Sequence, residues 1–256
     1  MTLPSSFQLL GASWNFYRKQ PVLGSVLFWL IFLPTLGNAM LSVLFQEWIT
    51  GHDQTDAPPI VVLILLGILL CALLALWGTC CVLVIGKRIM QANAGRSRTS
   101  FSAVRSSAKK LIVPLLLTGI LRSVFTLFWA LLLIVPGIIY AIRTTLFSVI
   151  IACEGLEYRD ALRRSSEIVK PVIFQVFIRL IAISIILFVP ISLLQIISVE
   201  LVQPTDLLGS LLVAIPVSGL SAFSSVLLLL SLIFLYKSIV KPSRKFEQYN
   251  PPIDVG

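Results

Sequence analysis

The chain has few charged residues and only one histidine. Charged residues make up 12% of its 256 residues and hydrophobic residues 57%, whereas a soluble domain of this size carries about 25% charged residues. Too little polar surface is present to coat a globule in water, so lipid must form part of its solvent. His52 has no second histidine and no nucleophile motif to work with. We therefore predict no catalytic residue, no metal site and no cofactor, and hence a protein that is not an enzyme.

The four cysteines carry no signature of metal or disulfide chemistry. Cys71, Cys80, Cys81 and Cys153 all fall within apolar runs, and their spacing matches neither a metal site nor a disulfide framework. We predict that they are small buried residues. Acylation of Cys80, Cys81 or Cys153 is the alternative.

Long apolar runs are the main feature that the chain does have. A helix needs about 20 apolar residues to cross the hydrocarbon core of a bilayer. Six runs meet or approach this length, at residues 22–45, 60–85, 111–135, 138–156, 172–198 and 208–236. We therefore predict an all-α fold, a polytopic transmembrane helical bundle of about six spans that forms a single integral membrane domain over residues 1–256. The pair Pro136-Gly137 predicts the turn between the third and fourth spans.

The basic residues are confined to one set of connections. Seventeen of the twenty Lys and Arg residues lie in the N-terminal segment, in the connections after the second and fourth runs, and in the C-terminal tail. By the positive-inside rule this pattern predicts that both termini are cytoplasmic. No recognised nucleic-acid motif accompanies the net charge of +9, so we predict no nucleic-acid partner.

The connection after the second run is the most basic and contains no acid. It is predicted to attract anionic lipid at about 1 kcal/mol per basic residue near the membrane surface. The residues predicted to make this contact are Lys87, Arg88, Arg96, Arg98, Arg105, Lys109 and Lys110.

A short amphipathic stretch precedes each pair of spans on the basic side. The apolar positions are Phe7, Leu10, Trp14 and Tyr17 in the first stretch, Phe101, Val104, Ala108 and Leu111 in the second, and Tyr158, Ala161, Leu162, Ser165 and Val169 in the third. Helical spacing of this kind predicts short interfacial helices on the cytoplasmic side, with their apolar faces toward lipid. The three stretches indicate either a three-hairpin repeat or the general similarity of interfacial helices.

Three arginines lie inside the predicted spans, namely Arg122, Arg143 and Arg179. Each costs about 2.5–3.5 kcal/mol near the centre of a helix on insertion scales, and no Asp or Glu lies deep in any span. At about 1.5 Å per residue, Arg122 is expected roughly 16 Å from the inner end of its span and Arg143 roughly 8 Å from the outer end. Two interpretations remain open. The arginines either donate hydrogen bonds to groups such as Thr144 and helix carbonyls, or bind an anion, for which the guanidinium is well suited.

One stretch of the chain resembles a known family. It comprises Val135-Pro-Gly-Ile-Ile139, Ile151-Ala-Cys-Glu-Gly155, Ala161-Leu-Arg-Arg-Ser165 and Lys170-Pro171. It resembles a group of bacterial six-span proteins related to the membrane domain of glycerophosphoryl diester phosphodiesterases. The resemblance implies a multi-pass protein of the bacterial cytoplasmic (inner) membrane. In the fused phosphodiesterases the catalytic domain is a separate soluble unit, so the resemblance does not imply that activity for this chain.

These observations lead to two functional hypotheses. The first is a non-enzymatic membrane protein that binds or moves an anionic lipid-like ligand through Arg122, Arg143 and Arg179, with anionic membrane lipids as its partners. The alternative is a structural or assembly subunit of a membrane complex whose arginines only hold the bundle together. Proton- or sodium-coupled transport is disfavoured because the spans contain no deep carboxylate.

Overall fold

The structure is a computed structural model that describes residues 3–51, 59–90, 101–201 and 207–240. Every regular element within these ranges is helical, which confirms the predicted all-α fold. Six segments are long and apolar enough to cross a membrane, namely Pro21–Phe45, Val61–Gly86, Ser102–Leu132, Ile134–Glu154, Tyr158–Ile197 and Leu212–Val240. The chain is therefore a multi-pass membrane protein by the length and composition of its helices.

The helices follow one another with short connections. In chain order they are α1 (Ser6–Lys19), α2 (Pro21–Val26), a π-helical turn (Leu27–Phe32), α3 (Leu33–Gly51), α4 (Pro59–Gly86), α5 (Phe101–Leu132), α6 (Ile134–Arg143), α7 (Phe147–Glu154), α8 (Tyr158–Val169), α9 (Ile173–Leu201) and α10 (Leu207–Val240). Short 3₁₀ turns follow α4 and precede α9. The first span thus consists of α2, the π turn and α3.

Small residues let the first two spans approach closely. A Cβ placed on Gly78 of α4 would lie 2.6 Å from the carbonyl oxygen of Leu30 in the π turn, and one placed on Gly67 would lie 2.9 Å from the side chain of Leu41. Close backbone approach is the usual means of helix association in lipid, where apolar burial gives no net drive. The pairing shows that α4 runs antiparallel to the first span.

The C-terminal half of the sixth span, in α10, is the centre of the bundle. Val226, Leu230, Ile233 and Tyr236 of α10 are all buried. Residues of α1, α4 and α7 lie around this part of α10. We call the end of the bundle that contains Tyr236 the basic end, because Lys87 and α8 also lie there.

Helix α1 is amphipathic, but its buried face packs on protein. Its first turn is closed by a capping box in which the Ser5 hydroxyl and the Gln8 side chain bond to each other's backbone amides. Leu9 and Phe16 are buried against the bundle, and Phe7 on the other side is 75% exposed.

This buried face is not the stripe predicted to face lipid, whose residues Phe7 and Trp14 are exposed. The hydroxyl oxygens of Ser13 and Ser231 lie 3.0 Å apart, and the rings of Phe16 and Phe234 meet edge to face. These contacts fix α1 across α10. Trp14 remains 43% exposed, so a second apolar face is available for lipid.

The second amphipathic stretch is not a separate helix. It forms the start of α5, which continues for 32 residues with Pro114 inside it. Val104 and Ala108 are buried on this first part, because the stretch packs against the bundle before the helix becomes uniformly apolar. The third stretch is α8, and its buried residues Ala161 and Ser165 also face protein.

The chain reverses between α5 and α6 at Leu133, and the predicted turn at Pro136-Gly137 is wrong. Leu133 is extended (φ −157°, ψ 129°) and precedes α6 directly. Pro136 lies in the first turn of α6, where a missing N–H breaks no helical hydrogen bond. A Cβ on Gly137 would lie 2.8 Å from the Cα of Ala130. The glycine thus serves close helix packing within the hairpin and does not make the turn.

Candidate functional site

The fourth span is interrupted at Thr144–Leu146, between α6 and α7. A break inside a membrane span exposes backbone groups that lipid cannot satisfy. Ser165 of α8 supplies two of the partners. Its hydroxyl donates to the carbonyl of Arg143 at 2.8 Å and accepts from the amide of Leu146 at 3.2 Å. Because Ser165 is completely buried, α8 is pinned directly against the break.

A second joint holds the start of α8 to α5. The hydroxyl of Thr118 accepts a hydrogen bond from the amide of Tyr158 at 3.0 Å. Tyr158 has a positive φ of 51°, a conformation that is uncommon for a residue with a side chain. Gly155 just before it closes α7 with a φ of 74°, as glycine commonly does after a helix. The connection between α7 and α8 is therefore short and firmly held.

The side chain of Arg122 extends from α5 to the C-terminal end of α6, where the helix dipole balances its positive charge. Its Nε donates to the hydroxyl of Thr144 and its Nη2 to the carbonyl of Ala141, each at 3.0 Å. The guanidinium also lies 5.2 Å from the centre of the Phe147 ring. A helix C-terminus carries about half a negative charge. The side chain therefore acts as a tethered cation that caps α6.

Arg179 is likewise bonded to backbone carbonyls. Its Nε donates to Pro4 at 2.7 Å, its Nη2 to Leu3 at 2.7 Å, and its Nη1 to Gln175 at 2.9 Å. Two of these bonds tie the segment before α1 to α9. This geometry explains the arginine as a clamp on the N-terminal segment.

Arg143 differs from the other two intramembrane arginines. Its Nε is buried and has no hydrogen-bond partner in the part of the chain that the structure describes. The bond from Ser165 to its carbonyl places it beside α8, at the basic end. The expected depth of Arg143 assumes that the Pro-Gly pair makes the turn and that the fourth span is unbroken, and the structure shows neither. Arg179 lies in separate surroundings at the N-terminal segment, whereas Arg122 bonds to Ala141 and Thr144, which flank Arg143 in the chain.

A groove of about 350 Å³ opens between α5, α6 and α8. Its lining residues are Phe125, Tyr140, Thr144, Arg159, Leu162, Arg163 and Ser166. Apolar rings and methyl groups thus share the wall with hydroxyls and two guanidinium groups. No carboxylate lines it.

Several donors of this groove are free. Within the described ranges the side chains of Arg159 and Ser166 and the hydroxyl of Tyr140 have no hydrogen-bond partner. Arg163 bonds to Glu167 one turn later at 3.1 Å, but such an exposed pair contributes little and leaves most of its donors available. A wall of donors without an acidic group can hold an anion that has several oxygens.

The predicted lipid-contact residues do not behave alike. Lys87, Lys109 and Lys110 are exposed at the basic end, as contact with a membrane surface requires. The guanidinium of Arg105 instead lies over the ring of Trp77 at 4.7 Å, a cation–π contact. Arg96 and Arg98 lie outside the described residues, and the side chain of Arg88 is not described either.

One polar contact at the basic end was missed by sequence reasoning, namely the bond from the Tyr236 hydroxyl to Glu154. Glu154 at the end of α7 accepts hydrogen bonds from the hydroxyl of Tyr236 on α10 and from Nε of Arg164 on α8 at 3.2 Å. This carboxylate therefore joins three helices. The available signal was that Glu154 and Tyr236 end neighbouring spans on the same side of the membrane.

The cysteines and the acidic groups in the described ranges form no metal cluster. Cys80 and Cys81 are fully buried and Cys71 and Cys153 half-buried, all as free thiols. Among the residues that the structure describes, no three His, Cys, Asp or Glu side chains come together as metal ligands would.

Comparison with known proteins found no matching family model, no matching curated protein and no matching solved structure. The resemblance to the membrane domain of glycerophosphoryl diester phosphodiesterases stays a prediction.

Proposed function

We propose that this chain is a non-enzymatic membrane protein that binds an anionic lipid-like ligand in the groove between α5, α6 and α8. The observation that carries the proposal is the combination of free donors and apolar walls in one groove. Arg159 and Arg163 stand at its polar side, and Phe125 and Leu162 provide apolar surface. A phosphate headgroup matches the two arginines, and the first part of an acyl chain matches the apolar surface.

The chemistry of the lining favours phosphate over other polar groups. Guanidinium groups bind phosphate oxygens through paired hydrogen bonds, and the free hydroxyls of Tyr140 and Ser166 can donate to the remaining oxygens. A zwitterionic headgroup would also bring a cation, for which the groove offers no carboxylate. We therefore expect anionic lipids to be preferred.

The ligand would come from the cytoplasmic leaflet of a bacterial inner membrane. This placement rests on the positive-inside rule, which assigns the basic end to the cytoplasm. The exposed Lys109 and Lys110 near this end would raise the local concentration of anionic lipid. Arg122 and Arg179 are both engaged with backbone carbonyls, which favours binding over movement of the ligand along a path across the bilayer.

The test is retention of lipid by purified protein. Protein is solubilised, equilibrated with equal amounts of phosphatidylglycerol and phosphatidylcholine, repurified and analysed by mass spectrometry. The double variant Arg159→Gln/Arg163→Gln should retain about tenfold less phosphatidylglycerol, since each charge-assisted hydrogen bond contributes about 1.5–3 kcal/mol. The matched control Lys109→Gln/Lys110→Gln removes the same charge from the same end and should lower retention far less, since exposed lysines only attract lipid to the surface. Equal losses in both variants would show diffuse attraction in place of a site.

The alternative function is a structural or assembly subunit of a membrane complex. It is favoured by the carbonyl bonds of Arg122 and Arg179, which explain both side chains without a ligand. Under this alternative neither double variant changes lipid retention, and the protein selects no lipid over another.

A further inference from the structure

The guanidinium of Arg143 has no partner among the residues that the structure describes. Its Nε is fully buried and makes no hydrogen bond to any of them, although the residue as a whole is only partly buried. Arg122 and Arg179, in contrast, are bonded to carbonyls. An unpaired charge inside a membrane span is costly, and a partner from outside the described chain would remove this cost.

No described carboxylate forms an ion pair with Arg143. The two ion pairs among the described residues join Arg163 to Glu167 and Arg164 to Glu154, and Glu154 also accepts from Tyr236. Within the described ranges, no acidic side chain therefore balances Arg143.

The position of Arg143 indicates where its partner comes from. The hydroxyl of Ser165 on the buried face of α8 donates to its carbonyl. Arg163 on the opposite face of α8 and Lys170 directly after the helix are exposed. A helix with its side chains is about 10–12 Å across. The backbone of Arg143 thus lies one helix beneath a surface suited to lipid headgroups, and long arginine stems commonly extend to such a surface.

We infer that Arg143 binds the phosphate of a lipid from the leaflet at the basic end, at a site separate from the groove. Arg143 does not line the groove, although both sites would take a lipid phosphate. The planar guanidinium can hold two phosphate oxygens side by side. The lipid thus supplies the counter-charge that the chain itself does not provide.

The experiment uses a protein in which the groove is already disabled. In the Arg159→Gln/Arg163→Gln background, native mass spectrometry counts phosphatidylglycerol molecules that remain bound from an equal mixture with phosphatidylcholine. Adding Arg143→Gln should lower the remaining phosphatidylglycerol about tenfold or more. The matched control adds Lys170→Gln, which removes an exposed charge from the same end, and should leave retention unchanged. Equal retention with and without Arg143→Gln would overturn the inference, whatever the groove variants show.

Two further arms keep the result interpretable. Arg143→Lys keeps the charge but lacks the planar guanidinium, so we expect this variant to retain part of the bound phosphatidylglycerol. It replaces Arg143→Gln in the experiment if Arg143→Gln fails to fold. Displacement of phosphatidylglycerol from wild-type protein by millimolar inorganic phosphate would overturn the assignment to lipid. In the Arg159→Gln/Arg163→Gln background, phosphatidylglycerol with a photoreactive headgroup should form adducts on Ile142 or Arg143, which do not line the groove. Adducts confined to groove residues would contradict the site.

Discussion

Replacement of Arg179 by methionine should release the N-terminal segment from α9 while leaving the bundle folded. The guanidinium donates one hydrogen bond each to the carbonyls of Leu3 and Pro4. Each is a hydrogen bond from a charged group, which contributes about 1.5–3 kcal/mol, so docking of the segment should weaken by about 3–6 kcal/mol. Removing the arginine also removes its insertion cost of about 2.5–3.5 kcal/mol. Global stability should therefore change by only roughly 0–3 kcal/mol.

A local measurement is needed because the global change is small. Amide hydrogen exchange of α1 in lipid nanodiscs reports opening of this helix directly. A docking loss of 3–6 kcal/mol corresponds to about two to four decades faster exchange, limited by the other contacts of α1 with α10. Arg122→Met is the control, since it also removes an intramembrane arginine but touches no residue of α1. Unchanged protection of α1 in folded Arg179→Met protein would refute the clamp.

Three further substitutions test the packing and the joints. Gly78→Ala should destabilise the protein by at least about 1–3 kcal/mol in thermal unfolding, because its new Cβ meets a backbone carbonyl. The control Gly119→Ala has open space and should be neutral or stabilising by up to about 1 kcal/mol. Similar shifts in the two variants would contradict the close approach of the helices. Ser165→Ala leaves two backbone groups without partners and should lower the free energy of unfolding by about 2–6 kcal/mol. The control Ser166→Ala should lower it by under about 0.5 kcal/mol. Equal losses in denaturant titrations would disprove the contact between Ser165 and the break in the fourth span. Tyr236→Phe should loosen the end of α7, seen as faster amide exchange there, and unchanged exchange would count against the carboxylate contact.

The spans could be predicted from the sequence because they depend on composition alone. A run of about 20 apolar residues has few stable alternatives to a membrane helix, and the six predicted runs match the six observed segments in order. Chain reversal was harder to place. Pro-Gly pairs such as Pro136-Gly137 frequently form turns in water. In a helical hairpin, however, proline also suits the first turn of a helix and glycine a close contact between helices. The structure shows the pair in these second roles.

The candidate site could be predicted only in part. The cost of an intramembrane charge identified Arg122, Arg143 and Arg179, and the list of possible partners for Arg122 contained Thr144, to which it bonds. The break at residues 144–146 could not be predicted, since no glycine or proline marks it. The groove residues of α8 were assigned to a lipid-facing helix because amphipathic periodicity does not distinguish protein from lipid as the apolar partner.

The hairpin of α5 and α6 has a tip composed wholly of apolar residues. From Leu131 to Val135 every side chain is aliphatic and exposed, and no hydrophilic loop separates the two helices. During biosynthesis, no charged group has to be dehydrated as this tip enters the bilayer, so the hairpin can insert as one unit. Such a tip would also lose free energy of hydrophobic burial if it emerged into water. Its resting depth is therefore inside the hydrocarbon, and a protease or an impermeant label acting from the far side of the membrane should find no cleavage or reaction site there.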